Sequence, residues 1–145
     1  IVDGFHVYPD MVNVAYKLKT ANRIDLITDS MRAKGLGDGE SELGGQKVWV
    51  KDKQARLEDG TLAGSVLEFD DAFRNVMAFT GASIEEAIQM ASVNQAIEFG
   101  LTNKGTLTIG KDADLNVFSA DLTSLEATYS LGRHFSKADA PTAED

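Results

Sequence analysis

The hydrophobic pattern of the N-terminal part of the chain alternates between strand-like and helix-like segments. Residues 1–7 and 24–28 contain closely spaced apolar side chains, which is typical of short buried strands. Between them, Pro9–Lys19 has apolar residues at helical spacing, behind a proline suited to a first turn. On this helix Met11, Val14, Ala15 and Leu18 are expected to form one apolar face. Strand, helix and strand in this order predict a βαβ unit with parallel strands.

The helical period is lost in residues 31–62. Short alternating runs there, separated by Gly44-Gly45 and Asp59-Gly60, predict β-hairpins. We interpret residues of about 40–60 as a β-rich insertion between a strand and the following helix. That helix is predicted over residues 66–79, with Ser65 as its candidate N-cap.

Two capping-box patterns follow, in which a serine precedes a Glu or Gln by three positions. Ser83 predicts a helix over residues 84–91, and Ser92 predicts a second short helix ending before Gly100. From Gly105 onwards the pattern changes to period two, which predicts antiparallel strands in a small separate sheet. These strands are expected at residues 105–107, 110–118, 125–131 and 133–135. The pattern places a boundary near residue 103 and a polar tail at the C-terminus.

Composition narrows the possible partners. The 145 residues carry 14 Lys and Arg against 23 Asp and Glu, a net charge of −9, which argues against nucleic-acid and anionic membrane surfaces. There is no cysteine, so disulfides and thiolate metal sites are excluded and a cytoplasmic location is expected. The chain begins at Ile1 without an initiator methionine, and we expect it to be part of a longer protein.

Polar side chains that follow apolar runs are the candidates for chemistry. Asp29 ends the second predicted strand before a glycine-rich stretch, and His6 ends the first. Because parallel strands of α/β domains present catalytic groups at their carboxyl ends, both side chains are expected on one rim. Gly64 precedes a predicted helix start that could bind an oxygen. The alternatives are that Asp29 only caps a helix or a turn, that His6 has a structural role, and that Ser65 is an ordinary helix N-cap.

Several segments match a known family. Residues 105–115 resemble a C-terminal segment that is common in the amidohydrolase superfamily. More specific are four segments whose order and spacing resemble N-acetylglucosamine-6-phosphate deacetylases, a family within that superfamily. These segments are residues 3–7 (DGFHV), 28–30 (TDS), 60–65 (GTLAGS) and 90–96 (MASVNQA). The resemblance extends from Ile1 to about residue 137.

The resemblance implies an α/β fold, the C-terminal part of a (β/α)8 TIM barrel with strands of a small β-sandwich. Residues 1–103 would belong to the barrel, 104–137 to the sandwich and 138–145 to a tail. It also implies a metal-dependent hydrolase that converts N-acetylglucosamine 6-phosphate to glucosamine 6-phosphate and acetate. In that enzyme Asp29 would be catalytic, carrying a proton from water to the leaving amine. The residues implied to bind the sugar phosphate are His6, Leu62, Ala63 and Gly64.

The metal implied by the resemblance is a divalent ion, zinc or iron. The family's metal ligands, a Glu and histidines, lie upstream of the position matching Ile1, so no metal ligand is assigned in this chain. We therefore expect this chain alone to be inactive, and the full-length protein to be a cytoplasmic homodimer. Two other hypotheses remain open. One is a different amidohydrolase, such as a dihydroorotase-like or deaminase-like enzyme, and the other is a catalytically inert piece that serves assembly.

Overall fold

The computed structural model describes residues 1–136. The chain divides between Ala91 and Ser92 into two compact units, upstream of the boundary predicted near residue 103. The predicted tail, with residue 137 before it, lies outside the described residues. None of the helices within residues 1–136 is long and apolar enough to cross a lipid bilayer.

Helices and strands are both present, as the sequence predicts for an α/β chain. The helices are α1 (Pro9–Lys19), α2 (Phe69–Thr80), α3 (Ile84–Ile88) and α4 (Asn94–Glu98), with a 3₁₀ turn at Ala21–Arg23 and a π-helical turn at Gln89–Val93. The strands of the first unit are β1 (Gly39–Leu43), β2 (Gln46–Lys51), β3 (Gln54–Arg56) and β4 (Leu62–Gly64). Those of the second are β5 (Leu115–Phe118), β6 (Leu125–Ser130) and β7 (Arg133–Phe135).

The predicted β-hairpins are confirmed. Strands β1 to β4 form one sheet in sequence order, and each neighbouring pair is antiparallel. Gly44 and Gly45 connect β1 to β2 with φ angles of 59° and 81°, the backbone that a two-residue hairpin turn requires and that glycine adopts at low cost. Along β2, Val48 and Val50 are buried and their neighbours are exposed, so alternation produces one packed face.

The two predicted parallel strands do not form, so the predicted βαβ unit is wrong for the described residues. Residues 1–7 and 24–28 contain no hydrogen-bonded strand. Parallel pairing within residues 1–136 is limited to an isolated bridge between Ser30 and Ser65. A strand needs a neighbour for its backbone N–H and C=O groups. Leu26 is nevertheless buried, and its N–H donates to the Met90 carbonyl at 2.9 Å.

Helix α1 has the predicted bounds but a different buried face. The predicted face is exposed, with Met11 58%, Val14 46% and Leu18 76% accessible. Val12 is buried instead, and α1 packs against α2. The predicted apolar face is therefore wrong, because packing against α2 rather than helical spacing decides which apolar residue of α1 is covered.

Helix α2 begins later than predicted, at Phe69 with Glu68 as its N-cap. Its buried residues are Ala72, Phe73 and Val76, which form one apolar face. Gly81 ends the helix in a left-handed conformation, which glycine adopts at low cost. Ser65 therefore caps no helix.

The first capping box is confirmed and the second is wrong. The Ser83 hydroxyl accepts from the Glu86 N–H, and the Glu86 carboxylate accepts from the Ser83 N–H at 2.9 Å. Ser92 instead lies inside the π-helical turn, and the N-cap of α4 is Val93 without a side-chain cap. The preceding helical turns already satisfy the backbone groups there, so a cap has nothing to bind.

Removal of these two hydroxyls is expected to have unequal effects. Ser83→Ala should lower the free energy of unfolding by about 1 kcal/mol, because it leaves a helix N–H without its acceptor. The matched control, Ser92→Ala, should change it by less than about 0.5 kcal/mol. Urea unfolding of both variants measures the difference. Equal losses would contradict the assignment of the caps.

The second unit contains one antiparallel sheet, with β6 between β5 and β7. The strands predicted at residues 125–131 and 133–135 are present. The one predicted to begin at Gly110 starts only at Leu115, and residues 105–107 form no strand. No strand residue of this sheet is fully buried.

Candidate active site

Asp29 occupies an unusual backbone conformation at the end of an irregular segment. Its φ angle is 50°, in the left-handed region that non-glycine residues rarely adopt. The side chain is exposed, and its carboxylate has no hydrogen bond or ion pair within residues 1–136. Strained backbone of this kind is concentrated at functional sites. The Asp29 carboxylate is therefore exposed and unpaired within residues 1–136, on a backbone conformation that is typical of functional sites.

The segment after Asp29 is attached to the end of β4. Ser30 forms the parallel bridge with Ser65, and the Met31 N–H donates to the Ser65 carbonyl at 2.9 Å. The Ser30 hydroxyl donates to the Leu67 carbonyl at 2.6 Å. Ser65 is 3% exposed, and its own hydroxyl accepts from the Leu67 N–H at 3.0 Å. These bonds place Asp29 beside the predicted substrate-binding segment.

That segment, Leu62–Gly64, is strand β4, and all three residues are half-buried. A Cβ atom at Gly64 would lie 3.0 Å from a methyl of Leu43 and 3.3 Å from the sulfur of Met31. Both side chains would have to shift by a few tenths of an ångström to admit a larger residue. Since α2 begins only at Phe69, the predicted helix start next to Gly64 does not exist. Any contact with a ligand would come from the edge of β4 and the loop after it.

His6 is held by a local carboxylate. Its Nδ1 lies 2.5 Å from Oδ2 of Asp3. The other oxygen, Oδ1, accepts from the backbone N–H groups of Phe5 and His6, both at 2.9 Å. Burial raises the pKa of the Asp3 carboxyl, but the His6 ring and the two N–H groups outweigh burial and hold the pKa below its ordinary value. Asp3 is thus ionised at neutral pH.

The lowered pKa of Asp3 makes the free energy of unfolding depend on pH in the acid range. Because the pKa of Asp3 is lower in the folded chain than its ordinary value of 3.8, the ionised carboxylate stabilises the fold above pH 3.8. This stabilisation is lost as the pH falls through the pKa of the folded state. We expect the unfolding free energy to fall between about pH 5 and pH 3, and to fall less in Asp3→Asn. Urea unfolding across this range, with both proteins in the same buffers, measures the difference. Parallel curves would show that Asp3 contributes nothing.

The structure brings some predicted site residues together and not others. Asp29 and Leu62–Gly64 meet through Ser30 and Ser65. The recorded partner of His6 within residues 1–136 is Asp3, so the predicted shared rim with Asp29 remains a prediction. A cavity of about 270 Å³ lies elsewhere in this unit, lined in part by Lys53 of the predicted insertion, and none of the predicted site residues lines it.

The described residues do not fit a metal centre by themselves. Within residues 1–136, no group of three or more His, Cys, Asp or Glu side chains is placed to hold a metal ion. The ring of His6 is engaged by Asp3, and His134 lies in β7 with its ring centroid 5.0 Å from that of Tyr129.

Two groups of this site were not identified from the sequence. Asp3 belongs to the DGFHV motif, and its spacing of three residues from His6 is the signal that points to a contact between the two side chains. The Ser30–Ser65 bridge had no signal, because it joins positions far apart in the chain.

Comparisons with known proteins agree on one family of hydrolases. The sequence profile of the Amidohydrolase family matches residues 40–138. The chain is 47% identical over 133 residues to the N-acetylglucosamine-6-phosphate deacetylase of Lysinibacillus sphaericus, covering 92% of this chain and 34% of the relative. It is 45% identical over 122 residues to the deacetylase of the same name from Bacillus subtilis (strain 168), covering 83% and 31%.

A solved structure is similar as well. The crystal structure of N-acetylglucosamine-6-phosphate deacetylase from Thermotoga maritima superposes with a TM-score of 0.86 at 45% identity, covering 94% of this chain and 38% of that chain. The chain spans about a third of the length of the curated relatives it matches. Because the family profile matches more than half of the sequence, the chain belongs to the amidohydrolase family.

Proposed function

We propose that the full-length protein containing this chain hydrolyses the acetamide of N-acetylglucosamine 6-phosphate, giving glucosamine 6-phosphate and acetate. The observation that carries the proposal is the identity of 47% with a deacetylase of that name, over 92% of this chain. The free carboxylate of Asp29 supports it, because amide hydrolysis needs a group that moves one proton.

In the proposed reaction Asp29 acts first as a base and then as an acid. It takes a proton from the attacking water as the oxygen bonds to the acetyl carbon. It then gives that proton to the sugar nitrogen as the C–N bond breaks, so the amine leaves neutral. The exposed carboxylate, which has no partner within residues 1–136, leaves both oxygens available for this transfer.

Substrate binding is proposed for Leu62, Ala63 and Gly64 and for His6. The first three lie in β4, which the Ser30–Ser65 bridge joins to the segment of Asp29. We propose that His6 contacts the sugar phosphate through the ring nitrogen that Asp3 does not engage.

A divalent metal, zinc or iron, is proposed for the full-length protein, with its ligands mostly outside this chain. The described residues do not supply such a site. We further propose that residues 1–103 form the C-terminal part of a (β/α)8 barrel and residues 104–137 contribute to a β-sandwich. The TM-score of 0.86 supports this placement. A homodimer in the cytoplasm is the proposed assembly and location.

The test is acetate release from N-acetylglucosamine 6-phosphate by the full-length protein with zinc or iron, and by this chain alone. We expect release by the full-length protein and none by this chain. A panel containing dihydroorotate and aminopurines tests the alternative amidohydrolase chemistries. Ring opening or ammonia release, without acetate release, would replace the deacetylase proposal. Absence of every activity would favour an assembly role, and release by this chain would show that its own residues suffice.

A further inference from the structure

The Asp3–His6 pair makes a contact that the local turn does not require. The turn is closed by two hydrogen bonds, which Oδ1 of Asp3 accepts from the backbone N–H groups of Phe5 and His6. Oδ2 has no part in that turn and instead meets Nδ1 of His6 at 2.5 Å. The Asp3 side chain is 8% exposed and that of His6 26%. The carboxylate is therefore nearly covered, while part of the ring remains open to solvent.

The chemistry of the pair decides which ring nitrogen is available. An ionised carboxylate can only accept hydrogen bonds, so Nδ1 must carry the hydrogen that points at Oδ2. Nε2 is then the nitrogen left for a ligand. A phosphate is also an acceptor, so Nε2 must carry a hydrogen to bind it. A ring that binds phosphate next to Asp3 therefore holds hydrogens on both nitrogens, and Asp3 balances its positive charge.

We propose that Asp3 is a positioning residue for substrate, which holds His6 so that Nε2–H binds the phosphate of the sugar as a charged donor. This inference rests on the proposed function, in which His6 contacts the sugar phosphate. Asp3 itself touches no substrate. Its contribution is the orientation of the ring and the compensation of its charge.

Asp3→Asn separates the two roles of the carboxylate. The amide oxygen can replace Oδ1 and keep both backbone hydrogen bonds of the turn. The amide NH₂ then faces Nδ1 and donates to it, so Nδ1 loses its hydrogen and the ring becomes neutral. Nε2–H can still reach the phosphate, but without the positive charge. Charge-assisted hydrogen bonds are about twice as strong as neutral ones, so KM should rise about tenfold.

The experiment compares two substrates with the full-length enzyme. For N-acetylglucosamine 6-phosphate, Asp3→Asn should raise KM about tenfold with kcat within about twofold of wild type. For N-acetylglucosamine without the phosphate, kcat/KM should be unchanged. Selectivity for the phosphorylated sugar therefore falls about tenfold. Structural damage to the turn would lower the rates for both sugars together, and that result would overturn the proposal.

A double variant tests whether Asp3 acts through His6. His6→Ala should raise KM at least as much as Asp3→Asn, and the double variant should be no worse than His6→Ala alone. Additive losses would mean that Asp3 acts by another route and would overturn the inference, with the deacetylase function intact. Failure of the wild-type enzyme to release acetate from either sugar would instead refute the proposed function.

Discussion

Asp29→Asn in the full-length enzyme is expected to lower kcat by about 10²- to 10⁴-fold, the range for loss of a general acid–base group. The KM for N-acetylglucosamine 6-phosphate should change by less than about threefold, since the amide retains the size of the carboxylate and removes only its ability to take a proton. Asn also tolerates the left-handed backbone of residue 29. Steady-state acetate release, with metal content measured for each protein, determines both constants.

Asp25→Asn is the matched control. Asp25 is an exposed carboxylate in the same irregular segment, upstream of Asp29, so its substitution makes the same change of charge. We expect kcat within about twofold of wild type. Near-normal turnover in Asp29→Asn would remove Asp29 from the reaction. Equal losses in both variants would show that net charge, rather than proton transfer, limits the rate.

Met90→Ala is expected to produce the largest loss of stability, about 2 to 5 kcal/mol. The Met90 side chain is 0% exposed, and its carbonyl accepts the N–H of Leu26. Truncation removes buried apolar surface and leaves a cavity in a close-packed interior. The free energy of unfolding from urea titration measures the effect.

Met11→Ala controls for the change of residue type. Met11 is 58% exposed on α1, so the same truncation should cost less than about 0.5 kcal/mol. Comparable losses in the two variants would mean that Met11 is covered in solution and that α1 uses its predicted face after all.

Local features of the sequence predicted local structure well. Helix α1 has the predicted bounds because Pro9 and the apolar spacing after it act within a few turns of one helix. The Ser83 capping box and the Gly44-Gly45 turn were also predicted correctly, and each depends on backbone groups a few residues apart. The Ser92 pattern failed because the helical turns before it were already formed.

The candidate site was only partly predictable. The motifs identified Asp29, His6 and the Leu62–Gly64 segment, but their chemical roles and a shared rim for Asp29 and His6 remain predictions. The spacing of three residues between Asp3 and His6 indicates a contact between their side chains, which composition alone does not. The bridge between Ser30 and Ser65 could not have been found, since nothing local at either serine specifies a partner on another segment.

The sequence by itself determined the order of helices and hairpins, the antiparallel C-terminal strands and the family to which the chain belongs. Tertiary structure alone decided that residues 24–28 form no strand, that α1 buries Val12, and that Asp29 lies beside β4. The physical reason is the range of the interactions. Caps and tight turns satisfy backbone groups within one segment, whereas strand pairing and helix packing require partners that only the folded chain brings close.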